Sequence, residues 1–167
     1  MSTLLRKLDK KIWLDRQVAE RLGSLQADAL KNFKTTENKL SVFLSDDVEP
    51  DRILTAIASS RDKVAEIDYA VFDDKVLKQA AIKSEKTKGE TPDDVVNMHH
   101  IDLIDLTAQQ IHDLASFIQN YGVLQRHSKK SVVKLLNQAI VDGRLENSKI
   151  NTKLLAELQQ VKNSPVY

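Results

Sequence analysis

Lys39-Leu40-Ser41-Val42-Phe43-Leu44, a helical run carrying Pro50, Ile53, Leu54, Ile57 and Ala58, and then Ile67-Asp68-Tyr69-Ala70-Val71-Phe72 decide the fold class. The first and last segments are short and rich in branched and aromatic residues, as strands are. Between them the apolar positions recur at helical spacing. Pro50 suits a first helical turn, where its missing N–H has no partner to lose. The stretch reads as strand 39–44, helix 50–62 and strand 67–72. That is a βαβ unit, which predicts two parallel strands joined by a right-handed crossover. Two strands do not complete a sheet. A third must come from elsewhere, with 12–14 the candidate, or helices must cover the pair.

Working toward the N-terminus, residues 3–33 read as helix. Leu5, Leu8, Ile12, Leu22, Ala29, Leu30 and Phe33 fall on one face, and Gly23 is a place to break it. Trp13 lies off that face, which marks it as a candidate partner contact. Working toward the C-terminus, 75–81 reads as a short helix. The polar, Lys-rich stretch 82–91 reads as a linker or mobile loop.

Everything beyond reads as helix. Thr91-Pro92-Asp93-Asp94 is a start, with Thr91 as cap. Thr107 to Gln110 matches a capping box, and Gly122 stands where a C-terminal cap belongs. Ser128 opens helix 129–142, ended by Gly143. Asn151 or Thr152 opens the last helix. The expectation is an α+β fold, predominantly helical: a small sheet containing the βαβ unit, followed by a C-terminal helical bundle. Residues 1–82 form the N-terminal helix and βαβ region and 92–162 the helical region, packed together as one compact domain.

Composition agrees with helices joined by few turns. The chain has four glycines and three prolines in 167 residues, and tight turns draw on those residues. It has no cysteine, which excludes a disulfide framework, thiolate zinc sites and a Cys nucleophile. No apolar run is long enough to span a membrane, and early charges break any signal-peptide core. A cytoplasmic protein without membrane partners is expected.

Net charge is +1, but it is unevenly placed: +4 over residues 1–36, −8 over 37–122 and +5 over 123–167. Basic ends either fold against the acidic middle or offer a surface to an anionic partner.

Three groups are candidate chemistry. Asp46, Asp47, Asp73 and Asp74 follow the two strands, where α/β units bind ligands, and four carboxylates would suit Mg²⁺ or Ca²⁺. Asp is equally at home in turns and at helix starts. His99, His100, Asp102, Asp105, His112 and Asp113 form a second set, read as one helical stretch whose polar face also needs no ligand. Arg126, His127, Lys129, Lys130 and Lys134 form a basic cluster. Lys129 and Lys130 sit in a first helical turn, where positive charge is disfavoured, so a phosphate-bearing partner such as nucleic acid would explain them.

No P-loop, nucleophile elbow or catalytic triad is present. The expected function is a non-enzymatic interaction or regulatory protein that binds another protein or a second copy of itself. The alternatives are nucleic-acid binding through the basic C-terminal helices and a metal-dependent enzyme on a phosphate-containing substrate.

Overall fold

The computed structural model describes residues 2–8, 25 and 27–163. Six strands form one sheet: β1 (Thr3–Leu8), β2 (Leu40–Leu44), β3 (Ile67–Asp73), β4 (Lys83–Lys86), β5 (His100–Ile104) and β6 (Val123–His127). Their order is β4-β5-β2-β1-β3-β6, and every neighbouring pair is antiparallel. The described helices are α1 (Pro50–Ser59), α2 (Lys75–Gln79), α3 (Asp94–Asn97), α4 (Ala108–Tyr121), α5 (Lys129–Val141) and α6 (Thr152–Asn163).

The first correction concerns the N-terminus. Residues 3–8 are a strand, not the start of a helix. Leu4 and Leu5 are adjacent yet both fully buried. A strand achieves this because successive side chains point to opposite faces, and both faces of this sheet are covered. Leu4 and Leu8 join one core with Leu40, Val42, Phe72, Leu103, Leu114 and Ile118. Leu5 joins the other with Phe43, Ile53, Leu54, Ile67, Leu136 and Leu154. Helix α4 and the 3₁₀ segment Ala27–Phe33 cover the first face, and α1, α5 and α6 cover the second.

The second correction concerns the βαβ unit. Strands β2 and β3 run in the same direction, because each is antiparallel to β1, but they do not pair. β1 lies between them and is the missing third strand. The pairing Thr3–Asp73 through Leu8–Asp68 is the longest register in the sheet. The segment 12–14, the expected third strand, lies outside the described residues, as does Trp13.

The third correction concerns the C-terminal half, which is not a helical bundle. β5 adds to β2 and β6 adds to β3, so this half supplies both flanks of the sheet. The fold is α+β, built on a six-stranded antiparallel sheet, and not a predominantly helical protein with a small sheet. The stretch 82–91, read as a linker, contains β4, paired with β5 from Lys83–Ile104 to Lys86–Ile101. Gly89 then packs so closely that a Cβ there would lie 2.8 Å from Asn97 Oδ1.

Local signals fared better at helix ends. Thr107 and Gln110 form a reciprocal capping box, and Ser128 accepts from the Ser131 amide. Gly143 follows α5 at φ 71°, a conformation that suits glycine. The start at 91–94 differs in detail: Asp93, not Thr91, caps the four-residue α3.

Gly122 ends α4, but not through a left-handed turn; its φ is −74°. It is needed for space, since a Cβ would lie 2.6 Å from the Ile118 carbonyl oxygen and 3.2 Å from its Cα. Backbone cannot step aside cheaply. Gly122→Ala is expected to destabilise by about 2 kcal/mol, the middle of the range for overpacking, in a urea unfolding titration. An unchanged midpoint would show that the α4–β6 junction yields.

Candidate functional site

The aspartates take up two positions at one end of the sheet. Asp46 is exposed and accepts the Thr3 amide at 2.7 Å. That hydrogen bond holds its carboxyl below the ordinary carboxylate value. Asp73 accepts the Lys75 amide at 2.8 Å, with Lys75 Nζ 3.7 Å away. Both are thus working as turn and strand-end residues. Among the described residues no three His, Asp or Glu side chains are grouped to hold a metal ion.

The histidine and aspartate set is not one helical stripe, because 100–104 is a strand. His112 and Asp113 stand apart on α4. His100 and Asp102 share a face of β5 with Phe43 and Ser41 of β2, their register partners. Thr87 Oγ1 lies 2.8 Å from His100 Nδ1 and donates to Asp102 Oδ2 at 3.0 Å, while Ser41 donates to Asp102 Oδ1 at 3.0 Å. The hydroxyls satisfy the carboxylate and pin the segment after β4 onto the sheet.

The basic cluster is largely engaged within the chain. Arg126 makes a two-pronged pair with Asp68, its cross-strand partner, at 2.5 and 2.7 Å, with Glu66 3.6 Å away. Those carboxylates raise the guanidinium's affinity for its proton. His127 stacks on Tyr69, rings 5.6 Å apart and nearly parallel. Its Nε2 lies 3.0 Å from Asp51 Oδ1 but is not aligned as a hydrogen bond. Lys129 donates to Glu157 at 2.6 Å, and Lys149 to Asp94 at 3.2 Å. Much of the basic C-terminal segment therefore folds against acidic groups of its own chain. Lys130 and Lys134 are exposed, with no ion-pair partner among the described residues.

No protein-family model matches the sequence, and the chain matches neither a curated protein nor a solved structure.

The two edges of the sheet are built differently. β4, at one edge, reads Lys-Ser-Glu-Lys, and all four residues are exposed. Charged side chains on an edge strand keep other strands from adding to it. β6, at the other edge, reads Val-Leu-Gln-Arg-His and has no lysine. Its one strong charge, Arg126, is occupied by Asp68. Val123 is 55% exposed, and Tyr121, just before the strand, is 71% exposed. Tyr121 is braced by the Phe117 ring at 5.1 Å. An edge strand presents unpaired amides and carbonyls along its outer side, and here apolar side chains stand beside them. Nothing in the local sequence of 123–127 marks it as a strand.

No helix among the described residues is long and apolar enough to cross a membrane.

Proposed function

We propose that this is a non-enzymatic interaction protein that binds polypeptide by strand addition at β6. The observation that carries the reading is the asymmetry of the edges: β4 is armed with charge and β6 is not. In strand addition the main chain supplies hydrogen bonds, and alternate side chains supply specificity. Val123 and Tyr121 are the anchors on this side. The aspartates and the basic cluster need no ligand under this reading, since turn hydrogen bonds and intramolecular ion pairs account for most of them.

The test uses a displayed library of random ten-residue peptides against the immobilised protein. Enrichment of sequences that alternate apolar and polar residues is expected, with protection of the 123–127 amides from hydrogen exchange on binding. Val123→Lys copies the β4 edge and should weaken the selected peptides by at least about tenfold. Stability should change by no more than about 0.5 kcal/mol, because the side chain is exposed. Peptides that bind equally well to the variant would sink the assignment to β6.

A further inference from the structure

Strand addition at β6 leaves the added strand unnamed. We infer that it is β6 of a second copy of this chain, the two strands pairing antiparallel about a two-fold axis at Gln125. The inference rests on the reading of β6 as the binding edge.

Three observations carry it. The first is closure. A sheet with one unguarded edge is sealed by a single two-fold contact, which covers both such edges at once. The joined sheet then ends in β4 on either side, where Lys83, Glu85 and Lys86 stop further growth.

The second is charge. β3, beside β6, ends in Asp73 and is followed by Asp74, level with the Tyr121 end of β6. The opposite end of β6 is His127, followed by Lys129, which Glu157 already meets, and by Lys130. A two-fold axis reverses one strand against the other. It therefore brings Lys130 of each copy toward the end of its mate that carries Asp74, Asp73 there being already met by Lys75. Lys130 and Asp74 have no ion-pair partner among the described residues, so both remain available for such a contact.

The third is register. Only a pairing centred on Gln125 uses all five residues of the strand. It sets Val123 opposite His127 and Leu124 opposite Arg126, so no charged residue faces its own copy. Arg126 keeps its pair with Asp68 inside each subunit.

The absence of cysteine gives a direct test. Gln125→Cys introduces one thiol, and directly opposed antiparallel residues have Cα atoms about 4.5–5.5 Å apart, within disulfide reach. Mild oxidation should convert most of this variant to a covalent dimer at micromolar concentration. Val123→Cys, two residues from the axis, would place its thiols about 13 Å apart and should remain uncrosslinked. In sedimentation equilibrium the wild-type chain should dimerise. Lys130→Glu should weaken dimerisation by about tenfold, and adding Asp74→Lys in the same chain should restore it. A chain that stays monomeric overturns the inference, as does a dimer that crosslinks in the Val123→Cys variant and not in Gln125→Cys. If that monomer still takes peptides at β6, the polypeptide-binding reading stands and only the second copy falls. If it takes none, both fall.

Discussion

Leu4→Ala and Leu5→Ala will each lower the free energy of unfolding by about 3 kcal/mol, within the range found for buried leucines. The double variant will lose about 6 kcal/mol, the sum of the two. Both side chains are fully buried, one in each core. The holes they leave have no shared lining, so their effects should add to within about 0.5 kcal/mol. On a helix, adjacent buried positions such as Ile53 and Leu54 of α1 face one core, so their cavities would share lining and their costs would not add independently. Urea titrations of the three variants decide the matter. One costly and one harmless substitution would contradict a two-sided central strand. Domains are typically stable by about 5–15 kcal/mol, so the double variant will stand at the edge of folding.

Asp93→Ala is the second large effect. Asp93 caps α3 through the Val95 and Val96 amides and holds Arg52 of α1 by two bonds of 2.7 and 3.0 Å. Its side chain is 5% exposed and that of Arg52 29%. Burial pushes the carboxyl up, but the Arg52 hydrogen bonds, the two amides and the Arg52 charge outweigh it, and the net shift is downward. Removing the carboxylate leaves a guanidinium without its counter-charge. The cost is about 3 kcal/mol, the lower end of the range for broken buried pairs because Arg52 is partly exposed. The melting temperature should fall by about 6–12 °C for a chain of this size. The sign of the pH dependence follows from the downward shift. An unfolded aspartate titrates near about 3.9. The stabilisation is therefore complete above that pH and lost as pH falls toward the lower folded value. Glu157, held down by Lys129 and the Val64 amide, acts in the same direction. Asp93→Asn should flatten the acid limb of the stability curve; an unchanged acid limb would show that the Arg52–Asp93 pair is not coupled to folding.

The elements legible in the sequence were those announced by neighbours a few residues away. Strands β2 and β3 carry strong apolar runs, α1 begins at a proline, and the Thr107 and Ser128 caps need only the next three residues. The hidden elements depend on distant partners. In β1, two buried leucines in a row imitate a helical stripe unless both sheet faces are known to be covered. In β5, Ile101 and Leu103 alternate with His100 and Asp102, but Leu106, Ile111 and Leu114 extend the same residues into an equally good helical pattern. β4 is polar and β6 turns polar after Val123 and Leu124, and both are short, so their only strong signal is pairing. The candidate site was hidden for the same reason. Being an edge is a property of sheet order, not of sequence. The apparent misfit of cations at the start of α5 is half resolved by the fold: Glu157 meets Lys129, while Lys130 has no ion-pair partner among the described residues.

The place of β1 sets a timetable for synthesis. It is made before the other described strands, yet its longest pairing runs to Asp73. At about 5–20 residues per second, the nascent chain carries the future middle of its sheet without that partner for several seconds. Strand β6 arrives later still, so the centre of the sheet and its open edge are completed in separate intervals. A chaperone that shields Leu4 and Leu5 would act in the first interval, and association through β6 can begin only after the second.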